Sequence, residues 1–89
     1  MEATFKFLLQ ASRLLSDGNY VDKDVSYIYD FLISVDNFEL NEYFRSNTIF
    51  SYKNDLELYV EVVDFIISIY EEKEMFEKCG QLMLKKQIS

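Results

Sequence analysis

The stretch from Asp55 to Tyr70 limits what this chain can fold into more than any other. Leu56, Tyr59, Val60, Val63, Ile66, Ile67 and Tyr70 recur at steps of three and four, which is helical spacing. A second apolar row, Leu58, Val62, Phe65 and Ile69, runs along another side, and only Glu57, Glu61, Asp64 and Ser68 remain as a polar strip. A helix that is apolar around most of its circumference needs neighbours on several sides. The stretch therefore predicts the central helix of an all-α protein.

The flanking segments supply those neighbours. Residues 2–16 predict a first helix, with Phe5, Leu8, Leu9 and Leu15 on one stripe and Phe7, Ala11 and Leu14 beside it. Gly18 can adopt the left-handed conformation that closes a helix, and Asn19 tolerates a turn. Asp22 is positioned to cap a second helix over 23–34, whose core row is Val25, Ile28, Tyr29 and Leu32. Asp36 and Glu39 have capping-box spacing for a short third helix over about 38–46. Residues 49–52 read as an extended linker. Asn54 is the expected cap of the central helix, with Asp55 and Glu57 favoured in its first turn by the helix dipole. Lys73, Met75, Phe76 and Cys79 extend the pattern, so this helix is expected to run from about 55 to 79 and to stop at Gly80. The expected fold is a small three- to four-helix bundle around that long helix, a single helical domain over 1–89. Proline is absent and there are two glycines, so few positions interrupt helices.

A chain of 89 residues buries only roughly 60–65% of its unfolded surface, enough for one modest core. Apolar residues make up 49% and charged residues 28%, the balance of a globular chain. The net charge is −7. It is concentrated: residues 17–42 set seven acids against the single base Lys23, and residues 55–72 carry acids alone. Such surfaces repel nucleic acid and anionic membranes and suit a basic protein partner. Their structural use is solubility. No apolar run reaches membrane-spanning length. The opening residues lack the basic and small-residue features of a signal peptide, so the cytoplasm is the expected compartment. The frequent Ile, Lys, Asn, Tyr and Phe also fit an AT-rich bacterial or phage coding sequence.

The residues that usually carry chemistry are scarce. Histidine is absent, which removes the commonest general base and zinc ligand. Cys79 is the single cysteine, has no histidine to activate it, and reads as a small apolar residue near a helix end. Asp22, Asp24 and Ser26 begin like a calcium loop, but Tyr27 stands where glycine is needed and Ile33 where glutamate is needed. No catalysis, cofactor or metal is expected. Glu57, Glu61 and Asp64 share a face although like charges four apart repel slightly, so they are either a solvated strip or a partner surface. Tyrosines interspersed with acids are more suggestive. Tyr29 and Tyr59 fall on core rows, whereas Tyr27 points away from the Val25–Ile28–Leu32 row and is expected to be exposed.

Two segments combine these features: the acidic turn Leu14-Leu-Ser-Asp-Gly-Asn-Tyr-Val-Asp-Lys-Asp24 and the acid–aromatic run Asp36-Asn-Phe-Glu-Leu-Asn-Glu-Tyr-Phe44. In size and character, with no fixed motif, the chain resembles the small helical immunity proteins that neutralise bacterial colicin-type or contact-dependent nuclease toxins. That resemblance implies a non-catalytic inhibitor that covers a toxin's basic active-site surface. Asp22, Asp24, Asp30, Asp36, Glu39 and Glu42 would then stand in for nucleic-acid phosphates, with Tyr27 and Tyr43 as anchors. The other reading is a helical structural or adaptor module, monomer or homodimer, whose excess apolar helix surface is completed by a second copy or a partner helix.

Overall fold

The computed structural model describes residues 2–36, 39, 42 and 52–86, with side chains from residue 6 in the first helix and from residue 57 in the third. Four helices are described in full: α1 (Glu2–Asp17), α2 (Asp22–Ser34), α3 (Tyr52–Glu72) and α4 (Phe76–Lys86). No strand occurs among the described residues, so the chain is a small all-α bundle. Of the expected helix over 38–46, Glu39 and Glu42 are helical and the other residues, Tyr43 among them, lie outside the described residues. Of the expected linker over 49–52, only Tyr52 is described, and it is not extended but the first residue of α3.

The core sits on α3. Tyr59, Val62, Val63, Ile66, Ile67 and Tyr70 are buried, and α1, α2 and α4 all pack against this helix. The polar strip is where the spacing puts it: Glu57, Glu61, Asp64 and Ser68 are exposed. The row boundary differs from expectation, because Val62 is buried and Val60 only half-buried. Leu8, Ala11 and Leu15 come in from α1, and Val25, Ile28, Tyr29 and Leu32 from α2. Gly18 closes α1 at φ 75°, the conformation expected of it.

Three boundaries depart from the sequence reading. Val21, extended at φ −117° and ψ 171°, occupies the position before α2, so Asp22 is the first helical residue and not the cap. The capping is done from inside: the Asp24 carboxylate accepts the Val21 N–H at 3.1 Å. Asp22 instead pairs with Lys73. At the next boundary α3 starts at Tyr52, so Asn54 lies within the helix. Nothing in Tyr-Lys-Asn-Asp forbids helix, and a good capping residue is not obliged to cap.

The largest departure is at the far end of α3. The helix stops at Glu72, turns through residues 73–75, and restarts as α4. The stop is a Schellman motif: Glu74 N–H bonds Glu71 O at 3.0 Å and Met75 N–H bonds Tyr70 O at 2.9 Å. Glu74 takes the left-handed position at φ 60°, where glycine would be usual. The chain doubles back as an αα-hairpin, with α4 antiparallel to α3. Cys79 Sγ lies 3.6 Å from Ile67 O, and Tyr59 Oη donates to Lys85 O at 2.9 Å. Gly80, expected to end the helix, lies inside α4 instead. An exposed mid-helix glycine costs about 1 kcal/mol relative to alanine.

The Schellman turn gives a prediction. A non-glycine residue held in the left-handed region costs roughly 1–2 kcal/mol, part of which glycine forfeits through its floppier unfolded chain. Glu74→Gly is expected to stabilise the protein by about 0.5–1 kcal/mol, raising the melting temperature by roughly 3–6 °C. Calorimetry showing a lower melting temperature would rule out the left-handed assignment.

The buried tyrosines give another. Burial pushes the Tyr59 hydroxyl well above its ordinary pKa, and burial followed by the charge of Asp30 does the same, less strongly, for Tyr29. Above about pH 10 an unfolded tyrosine loses its proton while folded Tyr59 keeps it. The unfolded state then binds fewer protons, so stability is intact below pH 10 and falls as pH rises beyond it. Urea midpoints are expected to hold up to about pH 10 and to drop above it. Tyr59→Phe should flatten that fall, while losing about 1 kcal/mol at neutral pH with the hydrogen bond to Lys85 O.

Candidate interaction surface

The outer face of α2 carries three of the residues singled out for partner binding, Asp24, Tyr27 and Asp30. Val25, Ile28, Tyr29 and Leu32 commit one side of the helix to the core. Opposite them, Asp24, Tyr27 and Asp30 follow one another at steps of three, so a single ring stands between two carboxylates on adjacent turns. Tyr27 is 67% exposed. Its inner edge rests beside Phe7 of α1, with ring centroids 5.8 Å apart, and Phe7 in turn stacks on Phe31 at 3.8 Å. The ring is thus supported from behind by an aromatic pair and presented outward. Asp24 is half-buried in a shallow cleft between α1 and α2 that Phe7, Gln10 and Leu14 also line.

The remaining acids do not all join this group. Asp22 lies on the flank facing the α3–α4 turn and is paired with Lys73. Asp30 reaches the same flank electrostatically: after burial and the neighbouring Tyr29, the charges of Asp30 and Asp22 help hold the Tyr70 pKa up. Asp36, past the end of α2, is exposed, as are Glu39 and Glu42. The structure therefore sets Asp24 and Asp30 on either side of Tyr27, with Asp30 on the side towards the flank of Asp22.

No family model matches this chain, and neither a curated protein nor a solved structure does. The case for any function consequently rests on the residues themselves.

A second acidic surface runs along α3. Glu57, Glu61, Asp64 and Ser68 rise beside half-buried Val60 and Phe65 to line a surface groove of about 850 Å³. Asp64 pairs with Lys86 across 2.5 Å. That pair is part of a pattern sequence reasoning missed. The lysines of the turn and α4 are spent on the acidic helices: Lys73 on Asp22, Lys86 on Asp64, and Lys85 on the carbonyl of Val35 at the end of α2. Lys78 lies 4.8 Å and 5.1 Å from the ring centroids of Tyr29 and Tyr70, which meet edge to face. The signal that could have found it is the charge sequence itself, acidic blocks at 17–42 and 55–72 followed by four lysines at 73–86.

Cys79 is buried, and burial with the nearby Glu71 charge pushes its thiol pKa up, away from a reactive thiolate. Tyr29 Oη donates to Gln81 Oε1, a structural tie between α2 and α4. Among the described residues no three His, Cys, Asp or Glu side chains converge as a metal would require. Among them also, no helix is long and apolar enough to cross a membrane.

Proposed function

We propose that this chain is a non-catalytic acidic protein that binds and inhibits a basic protein partner, a nuclease-type toxin being the partner class whose phosphate-binding surface it fits. One observation carries the reading: Tyr27, two-thirds exposed and backed by Phe7, stands between Asp24 and Asp30 on the open face of α2. An exposed, pre-positioned ring flanked by carboxylates has the composition of an interface anchor with steering charges around it. Asp36, Glu39 and Glu42 extend the negative character of the same stretch of chain, and Asp22 contributes to the field while paired with Lys73. Tyr43 is assigned to the interface by sequence alone.

The kinetics separate the two roles. Reversing Asp30 and Glu42 to Lys is expected to slow association with the partner about tenfold in low salt, with little loss of stability, because both side chains are exposed. Raising salt should reduce the wild-type association rate and leave the double variant nearly unaffected. Tyr27→Ala should leave association almost unchanged and speed dissociation about 30-fold, the equivalent of about 2 kcal/mol. The measurement is surface-based kinetics at two salt concentrations on a basic nuclease captured from cells that encode this chain, with nuclease inhibition read in parallel. An acidic partner, or rates blind to salt and to both substitutions, would reduce the acidic face to solubilising surface.

A further inference from the structure

The cleft between α1 and α2 is lined by groups of three kinds. Ala11 and Ile28 are buried there, with half-buried Leu14 beside them. Phe7 and Tyr27 contribute two rings, their planes 44° apart. Asp24 and Gln10 supply the polar groups. The volume is about 190 Å³, below that of small-molecule sites and on the scale of one long side chain. The Asp24 carboxylate is only partly satisfied. Its Oδ2 accepts the Val21 N–H, and Oδ1 has no partner among the described residues. Neither Lys6 nor Arg13, the bases of α1, forms an ion pair with it. Folding has already removed part of its water, so a cation arriving there is attracted more strongly than at an exposed acid such as Asp30. We propose that this cleft is an arginine pocket: resting on the reading of α2 as the partner surface, one arginine of the basic partner lays its stem on Ala11 and Leu14, stacks its guanidinium on the Tyr27 ring and donates to Asp24 Oδ1.

The lining selects arginine over lysine. An aromatic face beside a carboxylate matches a flat cation whose donors lie in its own plane. The side-chain carbonyl of Gln10 is a second acceptor, which a fork of N–H donors uses together with Asp24 and a point-like ammonium uses less well. A guanidinium is also the more weakly hydrated cation, so it loses less on entering a half-apolar cleft. The long stem of the arginine covers the apolar lining while its head reaches the carboxylate. Lys6 and Arg13 weaken the long-range pull of this cleft on a cation. The contact therefore acts after encounter: it slows departure and leaves steering to the exposed acids.

NMR titration of the full chain with N-acetyl-arginine methylamide, and with its lysine and norleucine equivalents, tests the pocket. The arginine compound is expected to shift the amides of Gln10, Ala11, Asp24 and Tyr27 with a dissociation constant of about 1–10 mM. The lysine compound should bind at least about fivefold more weakly, and the norleucine compound should not saturate. Asp24→Asn should weaken arginine binding at least about tenfold and nearly keep its denaturant midpoint, because its side-chain carbonyl still accepts the Val21 N–H. No binding, lysine or the asparagine variant binding as tightly, or shifts centred elsewhere would overturn the proposal. On the captured basic partner, Asp24→Asn should speed dissociation about tenfold with little change in association. Dissociation unaltered by Asp24→Asn but still sped by Tyr27→Ala would sink the pocket and leave the partner surface standing. Arginine binding as described, with no basic partner captured, would uphold the pocket and sink the partner surface.

Discussion

Val63→Asp is expected to leave the protein largely unfolded at room temperature. Val63 is fully buried on α3, beside Tyr59, Ile66 and Ile67 in the same core. A carboxylate placed there would exchange water for hydrocarbon. The lysines of the C-terminal segment cannot follow it, since they are held at the surface by Asp22, Asp64 and the Tyr29–Tyr70 rings. Burying an unpaired charge costs upwards of about 4 kcal/mol even after the group neutralises itself by taking a proton. A domain this small has only about 5–10 kcal/mol of total stability, so one such change removes most of it. Val63→Ala, a cavity without a charge, should cost about 2 kcal/mol and leave the protein folded. Helical circular dichroism followed through a thermal melt distinguishes the two. An aspartate variant melting where the wild type does would place Val63 outside the core.

Leu82→Ala is expected to destabilise by about 3 kcal/mol, and it tests the chain reversal that organises the C-terminal third. Leu82 is fully buried against the body of the bundle only because α4 folds back on α3 and α2. In one uninterrupted helix, Leu82 would lie about five turns beyond Asp64, directly above it on the solvated strip. Its truncation would then cost no more than about 0.5 kcal/mol, the usual value for a surface position. Urea midpoints of Leu82→Ala and of the exposed neighbour Leu84→Ala make the comparison internally. Equal, small effects at both positions would mean that α4 does not pack as described.

That five-turn arithmetic is also where the sequence could have been read further. Cys79 stands to Glu61 as Leu82 stands to Asp64: a straight helix would carry both apolar residues onto the polar strip. The phase error calls for a break between Tyr70 and Cys79. Its place was hidden because Glu71-Glu-Lys-Glu-Met75 contains neither glycine nor proline, and the turn is made by a glutamate at φ 60°. Gly80, the nearest visible stop signal, was the wrong residue to trust.

Sequence by itself determined the helical class, the Gly18 turn, the core row of α2, the polar strip of α3 and the outward Tyr27; on α1 it placed Leu8 and Leu15 but not Ala11, which is buried while Leu9 of the expected stripe is only half-buried. Each follows from residues within a few turns of one another, where spacing alone decides which side chains share a face. Tertiary structure decided the rest. The break before α4 stands because packing Cys79 and Leu82 against α3 and α2 outweighs the strain at Glu74. Asp22 became the partner of Lys73, 51 residues away, while Asp24 took over the local capping. The grouping of Asp24, Tyr27 and Asp30 was implicit in the spacing, but its backing by Phe7 required α1 and α2 to meet. Long-range pairs such as these depend on which elements become neighbours, and an energy shared between distant segments leaves no mark on either one alone.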